Sequence, residues 1–356
     1  MIISTNKKKI AIATAILAAV LYGINAPFAK LLLEKVPPLL MAALLYLGAG
    51  IGMLTVNIIK VKVQHKKIEA NISKKELAPV IGMVLLDIAA PILLMVGLNL
   101  TNASNVSLLN NFEIVATSVI ALMIYKEAVG KRMWLAIILI TLASFVLSIG
   151  DIGNFSFSSG SLFIIAACIC WGFENNFTRA LSEKDPMQVV VIKGFGSGLG
   201  ALAIAFFVKE MNAEFVYIIL ALLLGFVAYG LSIFFYVTAQ RELGAARTSV
   251  YYAVAPFIGV VASWVILQDE ISATFLIGLA IMLAGTYLAV TEKHQHTHIH
   301  ESINHDHRHS HDDGHHNHGE SAAGEHSHEH THEETTHKHS HTPDLHHRHG
   351  HKKQIL

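Results

Sequence analysis

Four ionisable residues stand inside otherwise apolar runs of this chain: Asp87, Glu113, Glu174 and Lys193. A charge near the middle of a bilayer-spanning helix costs roughly 2.5–3.5 kcal/mol on insertion scales, so such a group is kept for a function or for a partner. A carboxylate in a low-dielectric site is able to take up and release protons near neutral pH. Asp87 and Glu113 are therefore candidates to line a central cavity as proton-coupling or cation-binding groups. The plainer reading of Glu113 is a protonated acid that only hydrogen-bonds a neighbouring helix. Glu174 and Lys193 lie at similar depth in consecutive runs and read as an ion pair, either structural or a gate that substrate or a proton displaces. Ser107, Asn110, Glu113 and Thr117 follow three or four apart and so fall on one face of a helix. Asn25 lies just before Pro27, a proline that frees backbone groups inside its run. Three carboxylates and one lysine make an acidic interior, which favours a cationic or zwitterionic substrate or proton antiport over an anionic sugar phosphate.

A second chemistry sits at the end of the chain. Residues 294–356 hold 22 of the 23 histidines. They alternate as His-x-His at His294, His296, His298 and His300, then His305, His307, His309 and His311, and again at His326, His328, His330 and His332. Neutral imidazole is a good ligand for Zn, Ni, Co and Cu, and the interspersed Asp and Glu add oxygen ligands. No cofactor is required by anything in the sequence, and Zn, Ni or Co is expected only on this tail. The segment has almost no apolar residues and is expected to be disordered.

The elements that must position the charged residues are visible in the composition. Of 356 residues 53% are hydrophobic and only 15% charged, against about 25% charged in an average soluble domain. The expected class is an all-α multi-pass membrane protein. Apolar runs near the roughly 20 residues of a membrane helix recur at 10–33, 38–59, 77–98, 103–124, 133–150, 161–180, 186–208, 215–237, 245–267 and 272–291. Most carry Ala, Gly and Ser among Leu and Ile, as close helix packing in lipid requires. Gly194, Gly196, Gly198 and Gly200 suggest tight helix packing, and Cys168 and Cys170 read as packing residues. The first run is long for a signal peptide and no small-residue site ends it, so it is expected to be retained. Lys and Arg between runs fall 16 on one side and 3 on the other, which places both termini in the cytoplasm of a cell-membrane protein by the positive-inside rule.

The chain also repeats itself. Tyr22, Gly23, Phe28 and Lys30 match Trp171, Gly172, Phe177 and Arg179, which pairs Asn25 with Glu174. Ile124–Glu127 matches Leu267–Glu270. Each copy holds five runs, and an odd number makes the second copy enter the membrane from the other side. Such inverted repeats build a midplane site with two alternating access states in secondary transporters.

On these residues the chain resembles the drug/metabolite transporter superfamily, EamA type. The Tyr22-Gly23 and Trp171-Gly172 segments open the two repeats, Ala245–Pro256 is similar to the family's small-residue helix ending in Pro, and Asp269-Glu270 precedes a Gly-containing last helix. The resemblance implies ten helices in two five-helix repeats, at 10–150 and 161–291, with the His-rich tail at 294–356. It implies a carrier of amino acids, metabolites, sugars or drugs, mostly by export or exchange. One position departs from the pattern: Glu113 stands where the second repeat has Pro256.

The expected function is secondary active transport of a small solute by alternating access, linked to divalent transition metals through the tail. The alternatives are an amino-acid or metabolite exporter with a passive metal-binding tail, and a membrane metal sensor or store that transports nothing. Expected partners are the lipid bilayer and a small-molecule or metal-ion substrate, with a homodimer held open. Zero net charge argues against nucleic acid, and no nucleophile–base set, P-loop or disulfide framework points to an enzyme.

Overall fold

A computed structural model describes residues 5–64, 72–125, 130–151, 156–179, 181, 184–243, 248 and 251–291, and in the tail 295–300, 303–309, 326–332 and 335–340. Its helices are α1 (Thr5–Gly23), α2 (Asn25–Leu32), α3 (Pro38–Gln64), α4 (Leu77–Leu100), α5 (Ala103–Leu109), α6 (Phe112–Tyr125), α7 (Lys131–Ser148), α8 (Ser159–Arg179), α9 (Pro186–Val208), α10 (Phe215–Gly225), α11 (Ser232–Leu243), α12 (Ala255–Leu267) and α13 (Ala273–Val290). A π-helical turn, Phe226–Leu231, joins α10 to α11.

Among the described residues eight helical stretches are long and apolar enough to cross a membrane: Lys9–Leu32, Pro38–Ile59, Lys74–Leu100, Ala103–Ile124, Lys131–Ser148, Pro186–Val208, Phe215–Ala239 and Ala273–Val290. They match eight of the ten expected runs. The other two differ for separate reasons. The run at 161–180 forms α8, 21 residues long, but Glu174, Asn175 and Asn176 in its last turns make it too polar for the same class. The run at 245–267 is helical as α12 over only 13 residues, because Pro256 sets a helix start and a turn precedes it at 253–254. Its first residues lie largely outside the described ones.

Packing repeats with the sequence. If α1/α2 corresponds to α8, α3 to α9, α4 to α10/α11, α5/α6 to α12 and α7 to α13, the contacts map onto one another. The α4–α8 contact is matched by α11–α1, α6–α8 by α12–α1, and α4–α9 by the π-turn on α3. The contacts α3–α9, α7–α13 and α5–α12 map onto themselves. This is the pattern of two copies of one plan about a two-fold axis. Leu39 and Gln188, at equivalent helix starts, each bond the other half: Leu39 N donates to Glu210 Oε2 at 3.2 Å, and Ile72 N donates to Gln188 Oε1 at 3.0 Å.

Glycines set the approach of helices. Gly194 and Gly198 face α3, where a Cβ on Gly194 would collide with the backbone of Gly50 and one on Gly198 would lie 2.8 Å from Leu47 N. Gly196 and Gly200 face α4, against Val84 and Ile88. Helical geometry turns alternate residues to different sides, so the two-residue spacing serves two neighbours at once.

One end of the bundle is held by two charged caps. Lys30 Nζ donates to the carbonyls of Leu98 (2.6 Å), Asn99 (3.2 Å) and Thr101 (2.9 Å), closing the C-terminus of α4. Asp269 Oδ2 accepts from Ser104 N at 2.9 Å and Ser104 Oγ at 2.7 Å, so a loop of the second half caps the seven-residue α5 of the first. Asp269→Ala is expected to cost about 1 kcal/mol, the usual worth of an N-terminal cap, while Asp269→Asn keeps an acceptor and most of the stability. Thermal unfolding of the purified protein in detergent checks both.

Strands Gln295–His300 and Thr335–Ser340 pair antiparallel, as do Ile303–His309 and His326–His332. The two-residue His-x-His alternation has the period of a strand, which composition alone does not register. His296 is opposite His339 and His298 opposite His337; His305, His307 and His309 are opposite His330, His328 and His326. His294 and His311 lie outside the described residues.

Candidate functional site

Three helix interruptions meet in the interior. The first separates α1 from α2 at Ile24, the second separates α5 from α6 at Asn110 and Asn111, and the third precedes α12. Segments α2, α5 and α12 touch one another there. Gly23 and Gly259 permit the approach: a Cβ on Gly259 would lie 2.5 Å from Ser107 Oγ and 2.9 Å from Gly23 O. Proline explains part of the irregularity, because it withholds the amide that a continuous helix gives to the carbonyl four residues earlier. Pro27, Pro91 and Pro256 do this to Gly23, Asp87 and Tyr252, each in or beside the polar interior.

The break at Asn110–Asn111 corrects the expected continuous stripe of Ser107, Asn110, Glu113 and Thr117. Asn111 Nδ2 donates to Leu108 O at 3.0 Å, and the backbone tightens to three-residue bonds from Asn111 to Leu108, Glu113 to Asn110 and Ile114 to Asn111. A side-chain amide that competes for backbone carbonyls favours leaving the helix. Glu113 therefore lies in the first turn of α6, on a different helix from Ser107. The Cys168 thiol points at the carbonyls of Leu109 and Asn110 at the same break, 3.7 and 3.9 Å away.

The charged residues form one ion triad and one separate acid. Asp87 on α4 is fully buried and Glu174 on α8 is 2% exposed; Lys193 on α9 puts its Nζ 3.3 Å from Asp87 Oδ2 and 2.9 Å from Glu174 Oε1. Tyr46 on α3 donates to Asp87 Oδ1 at 3.0 Å, and Thr178 donates to Glu174 Oε1. The Lys193 approach to Asp87 Oδ2 lacks hydrogen-bond alignment, so that oxygen is electrostatically paired yet accepts no hydrogen bond. Glu113 stands apart from the triad. Its Oε1 accepts from Asn175 Nδ2 at 2.7 Å, and Asn175 also donates to Thr117 Oγ1 at 3.2 Å. Asn175 follows Glu174 directly, so α8 joins the two acids.

The opposite half presents neutral groups at the equivalent place. Asn25, the counterpart of Glu174, donates to the Tyr229 hydroxyl at 3.2 Å. Tyr229 lies on the π-turn and packs on Tyr22 and Tyr46, with ring centroids 6.0 and 5.3 Å away; Tyr22 packs on Tyr252, 6.0 Å away. The buried side-chain atoms without a hydrogen-bond partner among the described residues are Asn25 Oδ1, Asp87 Oδ2, Ser107 Oγ and Asn110 Oδ1. All are oxygens, so the interior has acceptors to spare. The tyrosines and Asn175 were not expected from the sequence, where aromatic and amide residues in apolar runs read as packing. The prolines four residues after Gly23, Asp87 and Tyr252 were the available signal.

An apolar bundle with interrupted helices from two matching halves meeting beside buried charges is the architecture of a membrane transport protein. The chain belongs to the EamA-like transporter family, which matches residues 9–149 and 158–291 in two successive copies. It is similar to an uncharacterized transporter of Methanothermobacter thermautotrophicus, 26% identical over 289 residues that cover 77% of this chain and 84% of the relative. It is also similar to the uncharacterized transporter YvbV of Bacillus subtilis, 23% identical over 290 residues, covering 78% and 92%. A solved crystal structure shares the fold at a TM-score of 0.56 and 15% identity, covering 78% of this chain and 95% of that one. The family matches end at residue 291, so the histidine tail lies beyond them.

Proposed function

We propose that the protein is a secondary active transporter, an exporter or exchanger, that moves a small cationic or zwitterionic solute across the cytoplasmic membrane by alternating access. The observation that carries this reading is the acidic, buried set Asp87, Glu174, Lys193 and Glu113 beside interrupted helices of both halves. Three carboxylates against one ammonium leave two negative charges uncompensated, which protons or cationic groups on the solute neutralise. Lipid-facing apolar surface and spare acceptor oxygens fit the same role.

The tail supports a second element of the proposal. Zn, Ni or Co bound by the His-x-His segments makes it a buffer, donor or sensor for divalent transition metals on the side where the chain ends. The metal link rests on the His-x-His spacing of the tail. An amino-acid or metabolite exporter with a passive tail is the competing reading, and a metal store without transport is the third.

Flux in proteoliposomes separates them. Glu113→Gln retains an acceptor for Asn175, so it is expected to fold with a loss of under about 1 kcal/mol, while flux loses its dependence on a pH gradient. Deleting 294–356 is expected to leave solute flux intact and to remove metal dependence. Unchanged flux and pH response in both Glu113→Gln and Asp87→Asn would reject the role given to these acids, and an absence of flux in the wild type would reject the transporter reading.

A further inference from the structure

Lys193 occupies a place whose other walls are built for a cation. Its ammonium lies between Asp87 and Glu174, and each carboxylate is oriented from behind by a hydroxyl, Tyr46 for Asp87 and Thr178 for Glu174. Neither acid has another cationic partner among the described residues. The fit is uneven: the ammonium is closer to Glu174, and the fully buried Asp87 Oδ2 accepts no hydrogen bond from it. The lysine balances one of the two carboxylate charges and sits 2.9 Å from Glu174 Oε1 but 3.3 Å from Asp87 Oδ2. Two buried carboxylates without a counter-charge would cost several kcal/mol each, so without the lysine the site would take up a proton or a cation. A side chain tethered one residue from the close α3–α9 contact at Gly194 fills it without drawing an ion from solution.

We infer that Asp87 and Glu174 form a monovalent-cation site in which the Lys193 ammonium is a built-in substitute for a dissolved ion such as Na⁺ or a small alkylammonium. The protein as it exists needs no such ion in solution. Shortening the lysine uncovers the site.

The test uses the full chain in lipid nanodiscs, with melting temperature read in chloride salts of Na⁺, K⁺, methylammonium and N-methylglucamine at one ionic strength. Wild type is expected to melt at the same temperature in all four. Lys193→Ala is expected to melt lower in N-methylglucamine and to regain roughly 2–5 °C, saturably, with Na⁺ or methylammonium, as ligand binding to the folded state requires. Asp87→Asn combined with Lys193→Ala should lose that response. If Lys193→Ala folds poorly, its folded yield on solubilisation in each salt is read instead and should rise with the small cations. Equal melting or equal yield of Lys193→Ala in every salt, or the same response after loss of Asp87, would overturn the inference. The inference extends the carrier reading above, but its measurement is of binding, so an absence of flux in the wild type would count against the carrier and leave this result standing.

Discussion

Replacement of Asp87 by leucine is expected to destabilise the protein by about 3–5 kcal/mol, the cost of breaking a buried ion pair by removing one partner. Asp87 has no exposure, and its two oxygens face different groups, the Tyr46 hydroxyl and the Lys193 ammonium. Leucine leaves the hydroxyl without an acceptor and leaves Lys193 to Glu174 alone. Asp87→Asn separates the two losses, because its amide oxygen keeps an acceptor for Tyr46 while the charge is gone. The asparagine variant should therefore fold better than the leucine variant and transport no better. If the lost pairing energy falls on the passage between access states, flux drops by about two to four orders of magnitude. Denaturation midpoints and flux on the same preparations check both parts. A leucine variant as stable as the asparagine variant would show that the Tyr46 bond is of little consequence.

Gly194→Val should have the next largest effect, through backbone rather than charge. Any Cβ at 194 collides with the Gly50 backbone and lies 2.9 Å from Tyr46 O, while a Cβ on Gly50 would sit 3.0 Å from Gly194 C and Phe195 N. No flexible side chain is available to give way, so α3 and α9 must separate. Overpacking of this kind costs about 1–3 kcal/mol, and the branched valine belongs at the upper end. The separation also displaces Lys193 and Tyr46, which flank the contact, so flux should fall with stability. Gly196→Ala is the control. Its Cβ would meet Val84 Cγ1 and Cγ2 at 3.0 Å, the ends of a side chain, and the loss should stay under about 1 kcal/mol. Thermal unfolding in detergent ranks the pair, and equal destabilisation would contradict the assignment of a backbone contact to 194 and a side-chain contact to 196.

Much of this arrangement was legible before any coordinates. Apolar length gave ten runs, eight of which are membrane-length helical stretches among the described residues, and the cost of intramembrane charge singled out Asp87, Glu113, Glu174 and Lys193. Depth along consecutive helices brought Glu174 beside Lys193. Asp87 escaped that argument, because its approach to Lys193 depends on how α4 crosses α9, a tertiary fact that no spacing encodes. The break at Asn110–Asn111 was missed because three- and four-residue spacing is read on the premise of an unbroken helix, and two adjacent asparagines overrode it. Tyr22, Tyr46, Tyr229 and Tyr252 were invisible for a different reason: an aromatic ring in an apolar run is equally at home in lipid, in a core or in a polar centre. The pairing of tail strands depends on partners 17 to 45 residues away, beyond the reach of composition.

The self-matching contact of α3 with α9 has a consequence for how the membrane potential acts. In a carrier whose halves exchange shapes, the contact lying on the axis between them is the fulcrum, and groups beside it are displaced least. Lys193 adjoins that fulcrum at Gly194, and Asp87 and Glu174 are fastened to Lys193. A charge carried across the whole bilayer feels about 2.3 kcal/mol per 100 mV; charges that pivot in place feel almost none. Under the proposed alternating access the protein would keep its own ions nearly silent in the electric field, and the voltage would work on the charge of what is carried.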